Sequence, residues 1–130
     1  MNEKDRMICE KILEEYFWRK EQLIARAKRL PEQRAGLAGQ LDCMWNLTYN
    51  LLLDFQYVPV TDPQKCEIVW GDKHYKYEFD DYGQQIVVKV DDRDFSCGAY
   101  NDMWDIDVIY AIEDCLNELE VKKIIDNSEK

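Results

Sequence analysis

From residue 3 to 29, apolar side chains return every three or four positions. Ile8, Ile12, Tyr16, Leu23, Ala27 and Leu30 form one stripe, widened by Cys9 and Leu13. That period predicts a helix with one buried face. Arg26, Lys28 and Arg29 close it, where cations oppose the macrodipole. Trp18 points away from the stripe, as a second packing face or a partner contact would require. Pro31 breaks the pattern and suits the first residue of a following helix. A second stripe then runs through Leu37, Leu41, Met44, Thr48, Leu51, Leu52 and Phe55, with Trp45 and Tyr49 extending it. Gly36 and Gly39 weaken its first turns by about 1 kcal/mol each relative to alanine. Either the helix starts late, near Gln40, or the glycines permit a close helix–helix approach. The short connection predicts an antiparallel hairpin over residues 3–56.

Pro59 and Pro63 mark residues 57–65 as a connector. From Cys66 the period changes to two. Residues 67–70 read as a strand, and Gly71-Asp72 as a two-residue type II′ turn. Next, Tyr75, Tyr77 and Phe79 alternate with His74, Lys76 and Glu78, which places His74 outward. Asp81-Tyr82-Gly83 supplies a turn, and Ile86, Val88 and Val90 face inward from a third strand. Residues 95–97 suit a short fourth strand before Gly98.

The period returns to helical over residues 102–124. Val108, Ile109, Ile112, Cys115, Leu116 and Leu119 form its core stripe. Ile106, Tyr110 and Val121 lie on another flank close to Asn117, so the helix is expected to be sandwiched or to offer that flank to another chain. These elements give an α+β fold: an N-terminal helical hairpin, an antiparallel meander of three to four strands, and a C-terminal helix on the same sheet face. A single domain is expected, with an acidic sheet-plus-helix part over 66–125 and a frayed tail at 126–130.

Composition agrees with a packed core: 46% of the 130 residues are apolar, including eight tyrosines and four tryptophans. No apolar run reaches the roughly 18–20 residues of a membrane span. The charged opening residues lack the apolar centre of a secretory signal, so a cytoplasmic location is expected. The five cysteines contain no C-x-x-C pair and read as reduced, buried thiols. With His74 the only histidine, a zinc site is not expected, and no other metal or cofactor is singled out.

Charge divides the chain sharply. Residues 1–65 hold ten acids and ten bases, and residues 66–130 hold seventeen acids and seven bases. The whole net charge of −10 therefore lies in the second half. Phosphate binding needs Lys and Arg, so direct nucleic-acid binding by that half is not expected. The acids of the last helix and the turn before it are Asp91, Asp92, Asp94, Asp102, Asp105, Asp107, Asp114 and Glu118. No calcium loop fits them, for the central glycine and twelfth-position glutamate are missing from Asp91 or Asp102 onward. They predict a negative surface instead. Asp107 and Asp114 stand about 10.5 Å apart along a helix, with Glu118 one turn further.

Tyr110 would anchor such a surface, with Ile106, Val121 and Trp18 as further oligomer or partner contacts. The leading expectation is a non-enzymatic module, an inhibitor or decoy that blocks a basic, nucleic-acid-handling protein. In type it is similar to phage-type inhibitors and to immunity proteins that cap nucleases. A homo-oligomeric structural or adaptor domain, such as a homodimer, is the alternative. A small carboxylate enzyme or ligand-sequestering protein comes third. No catalytic residue is singled out.

Overall fold

The computed structural model describes residues 2–79, 85–90, 92–98 and 106–128. It is an α+β fold in the order α1 (Glu3–Arg29), α2 (Leu37–Asp54), β1 (Val60–Asp62), β2 (Glu67–Trp70), β3 (Lys73–Phe79), β4 (Gln85–Val90), β5 (Arg93–Gly98) and α3 (Asp107–Ser128). A 3₁₀ turn, Pro31–Gly36, joins the first two helices. The backbone packs as two compact units, one of Met1–Phe55 with Asp114–Lys130, the other of Gln56–Glu113.

In the first unit, Asn2 caps α1 by accepting from the Asp5 backbone N–H at 2.8 Å. Its buried face is Cys9, Leu13, Tyr16 and Ala27. All four belong to the expected stripe, while Ile8 and Ile12 within it are only half-buried. From α2, Leu37, Leu41, Trp45, Thr48 and Leu52 turn inward. Tyr16 stacks on Trp45 with ring centroids 5.1 Å apart, a pairing that adds about 0.5–1.5 kcal/mol to area burial. Ala27, Leu37, Leu41 and Ile124 form one cluster, joined by Leu23, Ile24, Met44 and Val121. Val121 thus belongs to a helix–helix core. Helix α2 begins at Leu37, earlier than Gln40, because Pro31 starts a 3₁₀ turn that runs into it. A Cβ on Gly39 would meet nothing within 4 Å, so close packing does not explain that glycine.

In the second unit the five strands form one antiparallel meander, β1-β2-β3-β4-β5. It has one strand more than the pattern predicts, because Val60–Asp62 pairs with Glu67–Val69. Two flanking prolines disguised it, yet proline is tolerated at an edge strand, which β1 is. Trp70 pairs with Lys73 across Gly71-Asp72, and Gly71 takes φ 64°. The positive φ at the first turn position alone is that of a type II′ turn. Ile68, Trp70, Tyr77, Ile86, Val88 and Val90 are buried, as alternation predicts. Phe79 departs from the inward row: it is 56% exposed, edge-on to Tyr77 at 5.8 Å. The expected turn at Asp81-Tyr82-Gly83 lies outside the described residues.

Helix α3 contacts β4. Its first turns bury Val108, Ile109 and Ile112. The Trp70 indole N–H donates to Glu113 Oε2 at 2.8 Å, and both side chains are buried. Residues 126–128, expected to fray, continue the helix. Among the described residues, no helix is long and apolar enough to cross a membrane.

Candidate functional site: an acid-walled cleft

The helix period brings Asp114, Asn117, Glu118, Val121, Lys122 and Ile125 to one side of α3. Within the first unit this side and Ala38, Gly39 and Asp42 of α2 line a cleft of about 580 Å³. Its walls carry three carboxylates, Asp42, Asp114 and Glu118, and one cation, Lys122. The apolar part of the lining comes from Ala38, Gly39, Val121 and Ile125. Burial, and after it the charges of Glu118 and Asp42, push the Asp114 carboxyl above the usual aspartate range. Ionised Asp114 therefore gains from any cation that enters.

Asn117 is buried to 6% exposure at this wall. Its Nδ2 donates to the Tyr16 hydroxyl at 3.2 Å, which ties it to the stacked aromatic core. Its Oδ1 is buried without a hydrogen-bond partner. A buried acceptor left unpaired costs about 1–3 kcal/mol, so it is an uncommon feature to find on a cleft wall. Among the described residues, no three His, Cys, Asp or Glu side chains form a metal-holding group. The three carboxylates thus surround a volume without converging on one ion.

The remaining acids of the expected surface are placed differently. Asp107 opens α3 and is exposed, and Asp92 and Asp94 are exposed at the turn into β5 and on it. Tyr110 is half-buried, and Ile106, with 7% exposure, is a core residue that offers no surface anchor. Asp91, Asp102 and Asp105 lie outside the described residues. By unit, Gln56–Glu113 holds thirteen acids and five bases, and the rest of the chain fourteen and twelve. The second unit therefore supplies most of the net charge, and the first supplies the shaped site.

Two further features lie on the surface of the described residues. On the outer face of β2 and β3, Glu67 accepts from His74 Nδ1 at 2.9 Å and pairs with Lys76 at 3.3 Å. The His74 bond, assisted by Lys76, holds the Glu67 carboxyl below its usual range. His74 is exposed, as alternation predicts. Between α1 and α2 runs an apolar groove of about 770 Å³ that includes Ile8, Ile12, Met44, Leu47 and Leu51. Leu47 is 65% exposed, and Trp18 stands 57% exposed near Lys11 and Glu15 on the same helix.

No family model, curated protein or solved structure matches this chain.

Sequence reasoning singled out Asp114 and Glu118 but missed Asp42, Asn117 and Gly39, whose roles depend on the packing of α2 against α3. Asn117 carried a partial signal, a polar residue beside an apolar flank. Glu113 was missed because one more carboxylate in an acidic helix reads as surface.

Proposed function

We propose that this protein is a non-enzymatic acidic binding module that engages a basic surface of a partner protein, as an inhibitor or decoy of nucleic-acid handling. The observation that carries this reading is the cleft, whose lining combines Asp42, Asp114 and Glu118 with a single lysine and an apolar part. The carboxylates attract a cationic side chain, and the apolar part of the lining suits its methylene stem. The net charge of −10 adds a long-range field that steers a basic partner and falls away within a Debye length of about 8 Å at physiological salt. Exposed Asp92, Asp94 and Asp107 add to the negative field of the second unit.

The test is affinity capture from the native host, using wild-type protein and a triple variant, Asp42→Asn with Asp114→Asn and Glu118→Gln. A basic protein enriched by the wild type and lost by the variant supports the reading. Equal capture by both removes it.

A second reading, self-association, is favoured by the exposed Trp18 and Leu47 beside the α1–α2 groove. It predicts a dimer in analytical ultracentrifugation that Leu47→Glu converts to monomer. A monomer at every concentration refutes it.

A further inference from the structure

Helix α1 carries a second stripe, on the side away from its buried face. Lys4, Met7, Lys11, Glu14, Trp18 and Glu21 recur at alternating steps of three and four, and all six are exposed. That spacing is the heptad seam along which two helices pack together. Its apolar members leave more than half of their surface to solvent, Met7 56% and Trp18 57%.

The order of the six is complementary to its own reverse. An antiparallel copy sets Lys4 opposite Glu21, Met7 opposite Trp18 and Lys11 opposite Glu14. Each layer then joins a cation to a carboxylate, or one apolar side chain to another. A parallel copy would instead set like charges face to face. Helix stability does not ask for this order, because a cation in the first turn opposes the macrodipole, and Glu supports Lys better when it comes first. The seam is also neutral, two bases against two acids, in a chain of net charge −10. Two copies can therefore meet here without the repulsion that their acids would cause elsewhere.

The area fits the same partner. Met7 and Trp18 from both copies would withdraw about 500 Å² from solvent, taking about 200–250 Å² for each free side chain. The stems of the four charged residues bring the contact towards the roughly 1,200 Å² at which specific interfaces begin.

We propose that a second copy of this chain docks antiparallel along this flank of α1, about a two-fold axis that crosses between Ile12 and Leu13. The inference rests on the self-association reading and deepens it by fixing which helix meets which, and in what register. Lys11 also lines the α1–α2 groove, so the seam borders the groove and its exposed Leu47. The acid-walled cleft is lined by α2 and α3 and stays open in such a dimer.

The test is sedimentation equilibrium of the full chain, loaded up to about 1 mM because so small an interface makes a weak dimer. The wild type is expected to show a monomer–dimer equilibrium. Trp18→Ala should weaken it about ten-fold or more, since the symmetry removes the side chain twice. Lys11→Glu and Glu14→Lys should each weaken it about ten-fold, by setting like charges together at two places. The chain carrying both charge changes keeps the wild-type net charge and should recover the wild-type constant. Far-ultraviolet circular dichroism checks that each variant keeps its helix content.

A monomer at every concentration would overturn the proposal and the self-association reading together. A dimer unmoved by the three single changes would overturn the seam alone, as would a double variant no tighter than the singles. A dimer dissolved by Leu47→Glu but indifferent to positions 11, 14 and 18 would keep self-association in the groove and remove the seam.

Discussion

The Trp70–Glu113 hydrogen bond holds the start of α3 to β2 within the second unit, and Trp70→Phe isolates it. Both side chains are buried, and the indole N–H reaches Oε2 at 2.8 Å. Phenylalanine keeps a ring in the site but removes the donor. Losing a hydrogen bond of this kind costs about 1–3 kcal/mol, the upper end applying when the acceptor is charged. The smaller ring forfeits about 1 kcal/mol more, for roughly 40 Å² of apolar contact at about 25 cal/mol per Å². The expected loss is therefore about 2–4 kcal/mol, a large part of the stability of a small domain. Urea unfolding followed by far-ultraviolet circular dichroism measures it without relying on tryptophan fluorescence. A cycle with Glu113→Leu should give a coupling of about 1–3 kcal/mol, since the two side chains share the bond. A loss below about 0.5 kcal/mol, or a coupling within about 0.3 kcal/mol of zero, would refute the claim that this bond secures the helix.

Three other outcomes follow from the same structure. Asp114 has a raised folded-state pKa, so its contribution to stability is present below the unfolded pKa and lost as pH rises through the folded one. Asp114→Asn should accordingly gain thermal midpoint over wild type as pH rises across that window and hold a constant lead above it; a lead that shrinks with rising pH would contradict this. Glu67 has a lowered pKa, the opposite case, so Glu67→Gln should be less stable than wild type at neutral pH, and the gap should close as pH falls through the folded-state pKa. A gap that persists at low pH would show that the His74 and Lys76 contacts are not its source. Gln56 follows α2 with φ 56°, where glycine is favoured, and Gln56→Gly should raise stability by about 0.5–1 kcal/mol in the same urea assay; a loss would mean that the glutamine side chain matters more than its backbone.

Periodicity made much of this fold legible. The alternation of Ile86, Val88 and Val90, the Gly71-Asp72 turn and the stripe Val108, Ile109 and Ile112 all describe burial on one face, and one-sided burial writes itself into sequence. What remained hidden depends on partners distant in the chain. Three residues between prolines have too little pattern to announce β1, which exists because β2 offers an edge. The α1 stripe held all four buried residues, but an open groove beside α2 leaves its Ile8 and Ile12 half-covered. The cleft was half visible. Charge counting led to Asp114 and Glu118, but Asp42 stands more than seventy positions away and enters only through the packing of α2 with α3. Gly39 read as a weak helix start, and the open space around it shows only in the folded chain.

The most direct test of the central claim is the salt dependence of affinity for the purified captured partner, compared between wild type and the Asp42→Asn, Asp114→Asn, Glu118→Gln variant. The account predicts wild-type affinity that falls steeply with salt, and variant affinity at least about ten-fold weaker at low salt, or about 1.4 kcal/mol, with a shallower slope. Affinities and slopes that coincide for the two proteins would contradict it.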